Sequence, residues 1–275
     1  MMAWTTLLTQ PGYLIGVRTL AKSLQVSGSR YPLVVMVTGN ISAEMRATLE
    51  QDGCLVREVA PVSPNPTLEN RYANARFAEV WTKLAVWTLT EFERLVFLDA
   101  DMLVTQNMDE LFALPLAPGT LAACHACRCN PNRIASYPSD WTPENCFYSW
   151  CKGEEHVEQP DKVDNYLNGG FLLLTPDKAI FDAMMAQLAA LDDLSTYLFA
   201  EQDFLNHFYR DRWQPLPWVY NALKTLPHQH PDIWNDRRVK NIHYIIDKPW
   251  EKTPEPGDRY YELNRKWWLI ADTLN

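Results

Sequence analysis

The sequence predicts an α/β protein built on a mostly parallel sheet flanked by helices. Two observations carry this expectation. Short β-branched, apolar runs alternate with segments of helical period over the first hundred residues, and turn residues separate one run from the next. One run, Arg94-Leu95-Val96-Phe97-Leu98, is continuously apolar after its arginine, the pattern of a strand buried on both faces.

Taken in order, Trp4 to Leu8 is a short strand, and Gln10-Pro11-Gly12 is a turn. The apolar spacing from Tyr13 to Leu24 then predicts a helix. Tyr31 to Val37 reads as a buried parallel strand ended by Thr38-Gly39-Asn40. Ser42 opens a helix through Leu49, with Glu44 helping to cap it, and Cys54 to Val59 is the third strand. Strand and helix in alternation imply parallel pairing. Pro61 to Asn70 contains three prolines and is a loop; Phe77 to Leu89 has helical spacing and leads into the strand Arg94 to Leu98.

At 275 residues the chain can bury a substantial core. Its formal net charge of −9 argues against a nucleic-acid partner, which needs a basic footprint. An acidic protein that handles a phosphorylated ligand must neutralise it locally, by a metal ion or by a few placed Lys and Arg. No stretch approaches the roughly 20 apolar residues of a membrane span, and the first residues lack a basic segment followed by a long apolar core. The expected location is therefore cytoplasmic. Eleven Trp and twelve Tyr supply rings that suit sugars and bases, although most are expected in the core.

Asp99-Ala100-Asp101 follows the fourth strand directly. In open α/β sheets ligands bind beyond the carboxyl ends of the strands, so both acids project where a nucleotide would lie. Acids at the end of an apolar run cost desolvation unless a cation compensates them, and hard oxygen ligands suit Mn²⁺ or Mg²⁺ shared with phosphate oxygens. A pair of solvated loop acids is the plain alternative.

Five of six cysteines crowd into Cys124, Cys127, Cys129, Cys146 and Cys151. Cys124-x2-Cys127-x-Cys129 with His125 suggests zinc, but no second C-x2-C pair follows, so free or buried thiols are the favoured reading.

Trp81-Thr82-Lys83-Leu84-Ala85-Val86-Trp87 together with Arg94 to Asp101 resembles the corresponding stretch of glycosyltransferase family 8, the family of glycogenin and the galactinol synthases. The opening Leu7-Leu8-Thr9-Gln10-Pro11-Gly12-Tyr13-x2-Gly16 is similar to that family's nucleotide-binding start, and Asn168-Gly169-Gly170-Phe171 to its Asn-x-Gly strand start. Phe199-Ala200-Glu201-Gln202-Asp203-Phe204-Leu205-Asn206 is most like the galactinol synthase branch, and Val239 to Trp250 resembles the closing His…Lys-Pro-Trp motif.

The resemblance spans nearly the whole chain. It implies one GT-A nucleotide-diphospho-sugar transferase domain over 1–275, Rossmann-like, with an acceptor-side insert at about 124–159. The implied reaction moves a hexose, with retention of configuration, from UDP-galactose or UDP-glucose to a hydroxyl of myo-inositol or another polyol or sugar. Asp99, Asp101 and His243 would hold Mn²⁺, with Mg²⁺ the other candidate. Leu7, Thr9 and Tyr13 would meet the base. Lys83, Ala100 and Lys248 would serve the sugar or diphosphate, and Asn168, Gly169, Gly170 and Gln202 the sugar. Glu201, Gln202 and Asp203 would be catalytic.

Two routes to retention are open: attack by a carboxylate, Glu201 or Asp203, or same-face entry of the acceptor with the departing phosphate taking its proton. The second is preferred. Only four residues separate His243 from Lys248, fewer than the pattern carries, and Asp247 adds a negative charge there. A catalytically silent sugar-nucleotide binder and a zinc-stabilised interaction protein are the other readings. No tyrosine lies between Leu223 and Arg238, so self-glucosylation is not expected. The oligomeric state is left open, a homodimer included.

Overall fold

The computed structural model describes residues 1–274 apart from 75, 76, 78 and 154. Ala78, inside the helix expected over 77–89, and Glu154, inside the 124–159 insert, lie outside the described residues.

The first hundred residues follow the expected alternation. Strand β1 (Met2–Leu8) leads through a 3-10 turn (Pro11–Tyr13) into α1 (Leu14–Val26), and β2 (Leu33–Val37), α2 (Ala43–Gln51) and β3 (Leu55–Glu58) come next. Ser42 caps α2 as anticipated: its hydroxyl accepts from the Met45 amide at 3.2 Å, a contact that contributes about 1 kcal/mol. Strand β4 (Arg94–Leu98) has the predicted limits.

The segment from Phe77 to Leu89 departs from expectation. It forms a 3-10 helix, Val80–Thr88, and every residue from Trp81 to Trp87 is buried. Its residues are buried around the whole circumference, Lys83 included, and rich in β-branched and aromatic side chains, which lose rotamer freedom in an α-helix. It threads between the sheet and two later helices instead of laying one face on the core.

The remaining elements are β5 (Met102–Val104), β6 (Leu121–His125), β7 (Leu167–Leu174), α3 (Lys178–Ala189), α4 (Glu201–Phe208), β8 (Trp213–Pro215), β9 (Ala222–Leu223), α5 (Leu226–Gln229), β10 (Asn241–His243) and α6 (Tyr261–Ala271). Seven strands form one sheet in the order β3-β2-β1-β4-β7-β6-β8. Strand β7 runs antiparallel to β4 and β6, while the other pairs are parallel.

Both faces of this sheet are covered, which explains the unbroken apolar runs. Along β4, Leu95 and Phe97 point to a core shared with Trp81, Trp87 and Phe204, whereas Val96 and Leu98 point to one shared with Val17, Leu20 and Leu24 of α1. A second, three-stranded sheet, β5-β10-β9, adds a third core in which Leu103, Leu223 and Ile242 pack with Trp267 of α6. Among the described residues, no helix is long and apolar enough to cross a membrane.

Candidate active site

The polypeptide leaves the large sheet at Leu98 and enters the small one at Met102, so Asp99-Ala100-Asp101 forms the joint between them. Backbone bonds fix the joint on both sides. The Asp99 amide donates to the Gly170 carbonyl of β7 at 2.9 Å, and the Tyr244 amide donates to the Asp101 carbonyl at 2.9 Å. Helix α1 approaches closely enough that a β-carbon on Gly16 would lie 2.6 Å from the Ala100 carbonyl oxygen. Only glycine fits there.

Strand β10 delivers His243 opposite the two acids. Its Nε2 lies 3.3 Å from Asp101 Oδ1 and 3.8 Å from Asp99 Oδ2. One ligand atom from each of the three residues lies within 4.8 Å of the others. The ring orientation is set from behind. His243 Nδ1 and Asn221 Oδ1 are 2.9 Å apart, and the Asn221 amide nitrogen donates to Asn168 Oδ1 at 2.9 Å. With its nitrogen committed to Asn168, Asn221 presents an acceptor to Nδ1, which holds a proton there and leaves Nε2 as the ring nitrogen that faces the acids. Gly170 floors the group: a β-carbon there would meet His243 Cε1 at 2.5 Å and Asp99 Oδ2 at 2.8 Å. Two carboxylates, an imidazole and no room for a side chain beneath them fit a divalent cation such as Mn²⁺.

A buried lysine, Lys83, and a half-buried one, Lys248, flank the acids. Lys83 Nζ lies 2.7 Å from Glu201 Oε1, 3.0 Å from Asp99 Oδ1 and 3.0 Å from the Gly169 carbonyl. Lys248 Nζ donates to Asp101 Oδ2. Burial pulls the Lys83 ammonium toward neutrality, but Asp99 and Glu201 more than offset it and its pKa stands above the ordinary lysine range. Burial likewise pushes the Asp101 carboxyl up, and Lys248 and His243 outweigh it, so Asp101 stays ionised far below the usual carboxylate range. Glu201 behaves differently. Burial dominates, Lys83 offsets it only in part, and its pKa is pushed up to about 7.

Asp99, Asp101, Lys83 and Lys248 line the wall shared by two clefts. The smaller, of about 170 Å³, is bounded by Leu7, Thr9, Tyr13, Lys83, Asp99, Ala100, Asp101 and Lys248, all of which the sequence had singled out. The larger, of about 260 Å³, contains Asn168, Gly170, Glu201, Gln202 and His243 beside the same acids and lysines. Gly169 serves through its backbone, its amide donating to Gln202 Oε1 at 3.0 Å while its carbonyl accepts from Lys83.

Asp203, expected beside Glu201 and Gln202 as catalytic, is placed apart from them. Its carboxylate accepts from the Tyr166 hydroxyl at 2.5 Å and the Phe199 amide at 2.7 Å, and it faces a different hollow with Arg128 and Asp164. One helical turn cannot aim three consecutive side chains into one cleft. The short His243 to Lys248 interval does bring Lys248 to Asp101, and the Asp247 carbonyl accepts from buried Lys224 at 2.5 Å.

Several site residues carried no usable sequence signal. Asn221 orients His243 from a segment with no motif. Trp141, stacked on Phe199 with ring centroids 4.4 Å apart, and Tyr137 line the larger cleft from the 124–159 stretch. That stretch was expected near the site as a whole, but the rings were not singled out. The zinc pattern also changes: His125 stacks on Phe147 at 3.6 Å and bonds Gln159, while Cys127, Cys129 and Cys146 converge instead on His230.

Comparison with known proteins agrees with this geometry. The profile of glycosyl transferase family 8 matches residues 5–253. Galactinol synthase 1 of Arabidopsis thaliana is 33% identical over 282 aligned residues, covering 98% of this chain and 78% of that protein. Galactinol synthase 1 of Solanum lycopersicum is 32% identical, covering 98% and 81%. The galactosyltransferase LgtC, solved with donor and acceptor sugar analogs, superposes with a TM-score of 0.68 at 17% identity over 100% of this chain and 96% of its own. The apo WbbM bifunctional glycosyltransferase gives 0.67 at 19% identity, and this chain spans 50% of its length. The fold is therefore GT-A, as the sequence resemblance implied. The chain belongs to glycosyl transferase family 8, and it is a glycosyltransferase that uses a nucleotide sugar.

Proposed function

We propose that the chain is a retaining, metal-dependent hexosyltransferase working in the cytoplasm, which moves galactose or glucose from a UDP-sugar to a hydroxyl of a small polyol or sugar such as myo-inositol. The observation that carries this reading is the convergence of Asp99, Asp101 and His243 on the wall between the two clefts. The smaller cleft takes the nucleotide, with Tyr13 against the base and Leu7 and Thr9 at its edge. The larger takes the sugar over Asn168, Gly169 and Gly170 and the acceptor against Trp141. The galactinol synthase names of the relatives support galactose and inositol as the first pair to try.

Charge supports a metal. Asp99, Asp101 and Glu201 carry three negative charges when ionised against two positive ones on Lys83 and Lys248, leaving one net negative charge where a diphosphate must sit. A divalent ion, Mn²⁺ before Mg²⁺ given the imidazole, reverses that sign and supplies electrostatic stabilisation of the leaving diphosphate. Lys248 adds a second positive group.

For retention we favour same-face entry of the acceptor. Glu201 is held by Lys83 at 2.7 Å, which suits it to gripping sugar hydroxyls better than to attack. Gln202 is committed through Oε1 to the Gly169 amide and through Nε2 to the Tyr166 hydroxyl at 3.2 Å, which fixes the sugar floor. Asp203 is a positioning residue at the start of α4. The whole chain, 1–275, acts as one catalytic domain with 124–159 as its acceptor wall. The close approach of Lys248 to Asp101 supports turnover over silent binding.

The test is a thermal-shift screen of UDP-sugars with and without Mn²⁺, followed by product detection with polyols and sugars. A ligand that binds only the native state raises the melting temperature. The reading predicts a UDP-hexose shift that needs Mn²⁺, and transfer of that hexose with the anomeric configuration kept. No Mn²⁺-dependent shift from any UDP-sugar would remove it.

A further inference from the structure

Outside the cleft acids, one other group of metal-ligating side chains converges among the described residues: Cys127, Cys129, Cys146 and His230. The four come from three separate parts of the chain. Cys127 and Cys129 follow β6, Cys146 lies between two 3-10 turns (Pro143–Asn145 and Phe147–Ser149), and His230 directly follows α5. Cys146 and His230 are buried and the other two half-buried.

The distances fit a closed tetrahedral centre. Zinc–sulfur bonds of about 2.3 Å and zinc–nitrogen bonds of about 2.0–2.1 Å at tetrahedral angles require sulfurs about 3.8 Å apart and sulfur–nitrogen separations of about 3.5 Å. Cys127 Sγ and Cys146 Sγ are 3.9 Å apart. His230 Nε2 lies 3.5 Å from Cys127 Sγ, 3.2 Å from Cys129 Sγ and 3.7 Å from Cys146 Sγ. A disulfide does not describe this arrangement, since 3.9 Å is nearly twice a sulfur–sulfur bond of about 2.05 Å and would leave a thiol and an imidazole aimed at the same point. The other cysteines have their own surroundings: Cys124 donates to the Pro217 carbonyl at 3.2 Å and Cys151 to the Gly153 carbonyl at 3.1 Å.

We infer that Cys127, Cys129, Cys146 and His230 bind a structural Zn²⁺ that staples the acceptor wall to the segment positioning His243. Three thiolates and an imidazole are a soft to borderline set that selects zinc over the hard cation of the cleft, and four protein ligands leave no open position for catalysis. The placement gives the ion a purpose. Residues 130–141, which include Asn130, Ile134, Tyr137 and Trp141 of the larger cleft, lie between Cys129 and Cys146 in a stretch without strands or α-helices. His230 is joined through α5 to Thr225, which lines the same cleft, and to β9, which pairs Leu223 with His243. The staple thus closes a long irregular wall against the strand that carries the third ligand of the donor site.

Metal analysis of the full chain tests this. Protein purified without added metal and gel-filtered through a chelating buffer is expected to hold about one zinc per chain. Asp99→Asn should keep it, and so should His230→Cys, which replaces one competent ligand by another. Cys146→Ser should lose at least nine-tenths of it. If Cys146→Ser fails to fold, the wild-type protein decides alone: a mercurial reagent should release the zinc as the three thiols react, and cobalt in its place should show thiolate charge-transfer bands with tetrahedral d–d absorption. Wild-type protein without zinc, iron in the site, a Cys127–Cys146 disulfide by intact mass, or zinc that leaves with Asp99→Asn and stays with Cys146→Ser would overturn the inference. Failure of the UDP-sugar screen would leave these outcomes unchanged, because the two groups share no ligand.

Discussion

Asn221 Oδ1 lies 2.9 Å from His243 Nδ1, and this contact holds a proton on Nδ1 and turns Nε2 toward Asp99 and Asp101. The bond is predictive because Asn221 touches neither acid. Asn221→Ala should weaken Mn²⁺ affinity by about 10–100-fold, the usual cost of losing a partner behind a ligand, while the fold persists. Calorimetric titration of Mn²⁺ in the presence of UDP, beside a melting curve, measures both. Unchanged affinity would mean that His243 does not ligate.

Asp99 and Asp101 should separate by stability. The Asp101 side chain is 7% exposed and paired with Lys248, whereas the Asp99 side chain is 29% exposed and shares Lys83 with Glu201. Asp101→Asn strands the Lys248 ammonium, whose side chain is only 10% exposed, at a cost of up to about 3–5 kcal/mol, so it should lower the melting temperature as well as abolish transfer. Asp99→Asn should abolish transfer with a much smaller change in melting temperature. Activity assays and melts on both variants decide it.

Gly170→Ala should remove Mn²⁺-dependent UDP binding without altering any ligand atom, because the added methyl would lie 2.5 Å from His243 Cε1. The thermal shift given by UDP with Mn²⁺ should disappear. A retained shift would show that the floor of the site gives way.

Glu201 sets a pH dependence. Its folded pKa of about 7 lies above the 4.5 of an ordinary glutamate, so the folded chain holds this proton more tightly than the unfolded chain between those limits. Stability credited to Glu201 is therefore greatest below about pH 4.5 and falls as pH rises through 7, by up to roughly 3 kcal/mol. Wild type compared with Glu201→Gln in urea melts should show the difference shrinking or reversing from pH 5 to pH 8. A pH-independent difference would mean that Lys83 keeps Glu201 ionised throughout.

Trp141→Ala should raise KM for the acceptor while leaving UDP binding intact, since Trp141 lines only the larger cleft. Initial-rate kinetics varying each substrate in turn measure this. An equal loss for donor and acceptor would count against the division of the two clefts.

How much of this was legible in the sequence depended on how local the cause was. The first four strands were read to within two residues because a β-branched run between turn residues is a local signal, and the acidic triplet at the end of β4 followed from it. The resemblance in five ordered motifs named Asp99, Asp101, His243, Lys83 and Lys248, which the structure brings together. What escaped was set by distant partners. The 3-10 form of Val80–Thr88 reflects burial on every side, which a helical period cannot distinguish from one buried face. The reversed direction of β7 depends on its neighbours. Asn221 and His230 carry no motif, since their partners lie 22 and 84 or more residues away. Asp203 faces a different hollow from Glu201 and Gln202 because adjacent letters in a motif point in different directions on a helix.

The pairing of β10 with β5 reaches beyond the site it supports. His243 stands opposite Met102 in that ladder, one residue past the acids, so side chains more than 140 positions apart along the chain become neighbours on a single ribbon. An ion bound there would find its three side chains already gathered and would have little ordering to impose. Exchange of the ion should then follow the opening of the cleft, while the ribbon itself stays intact from one turnover to the next.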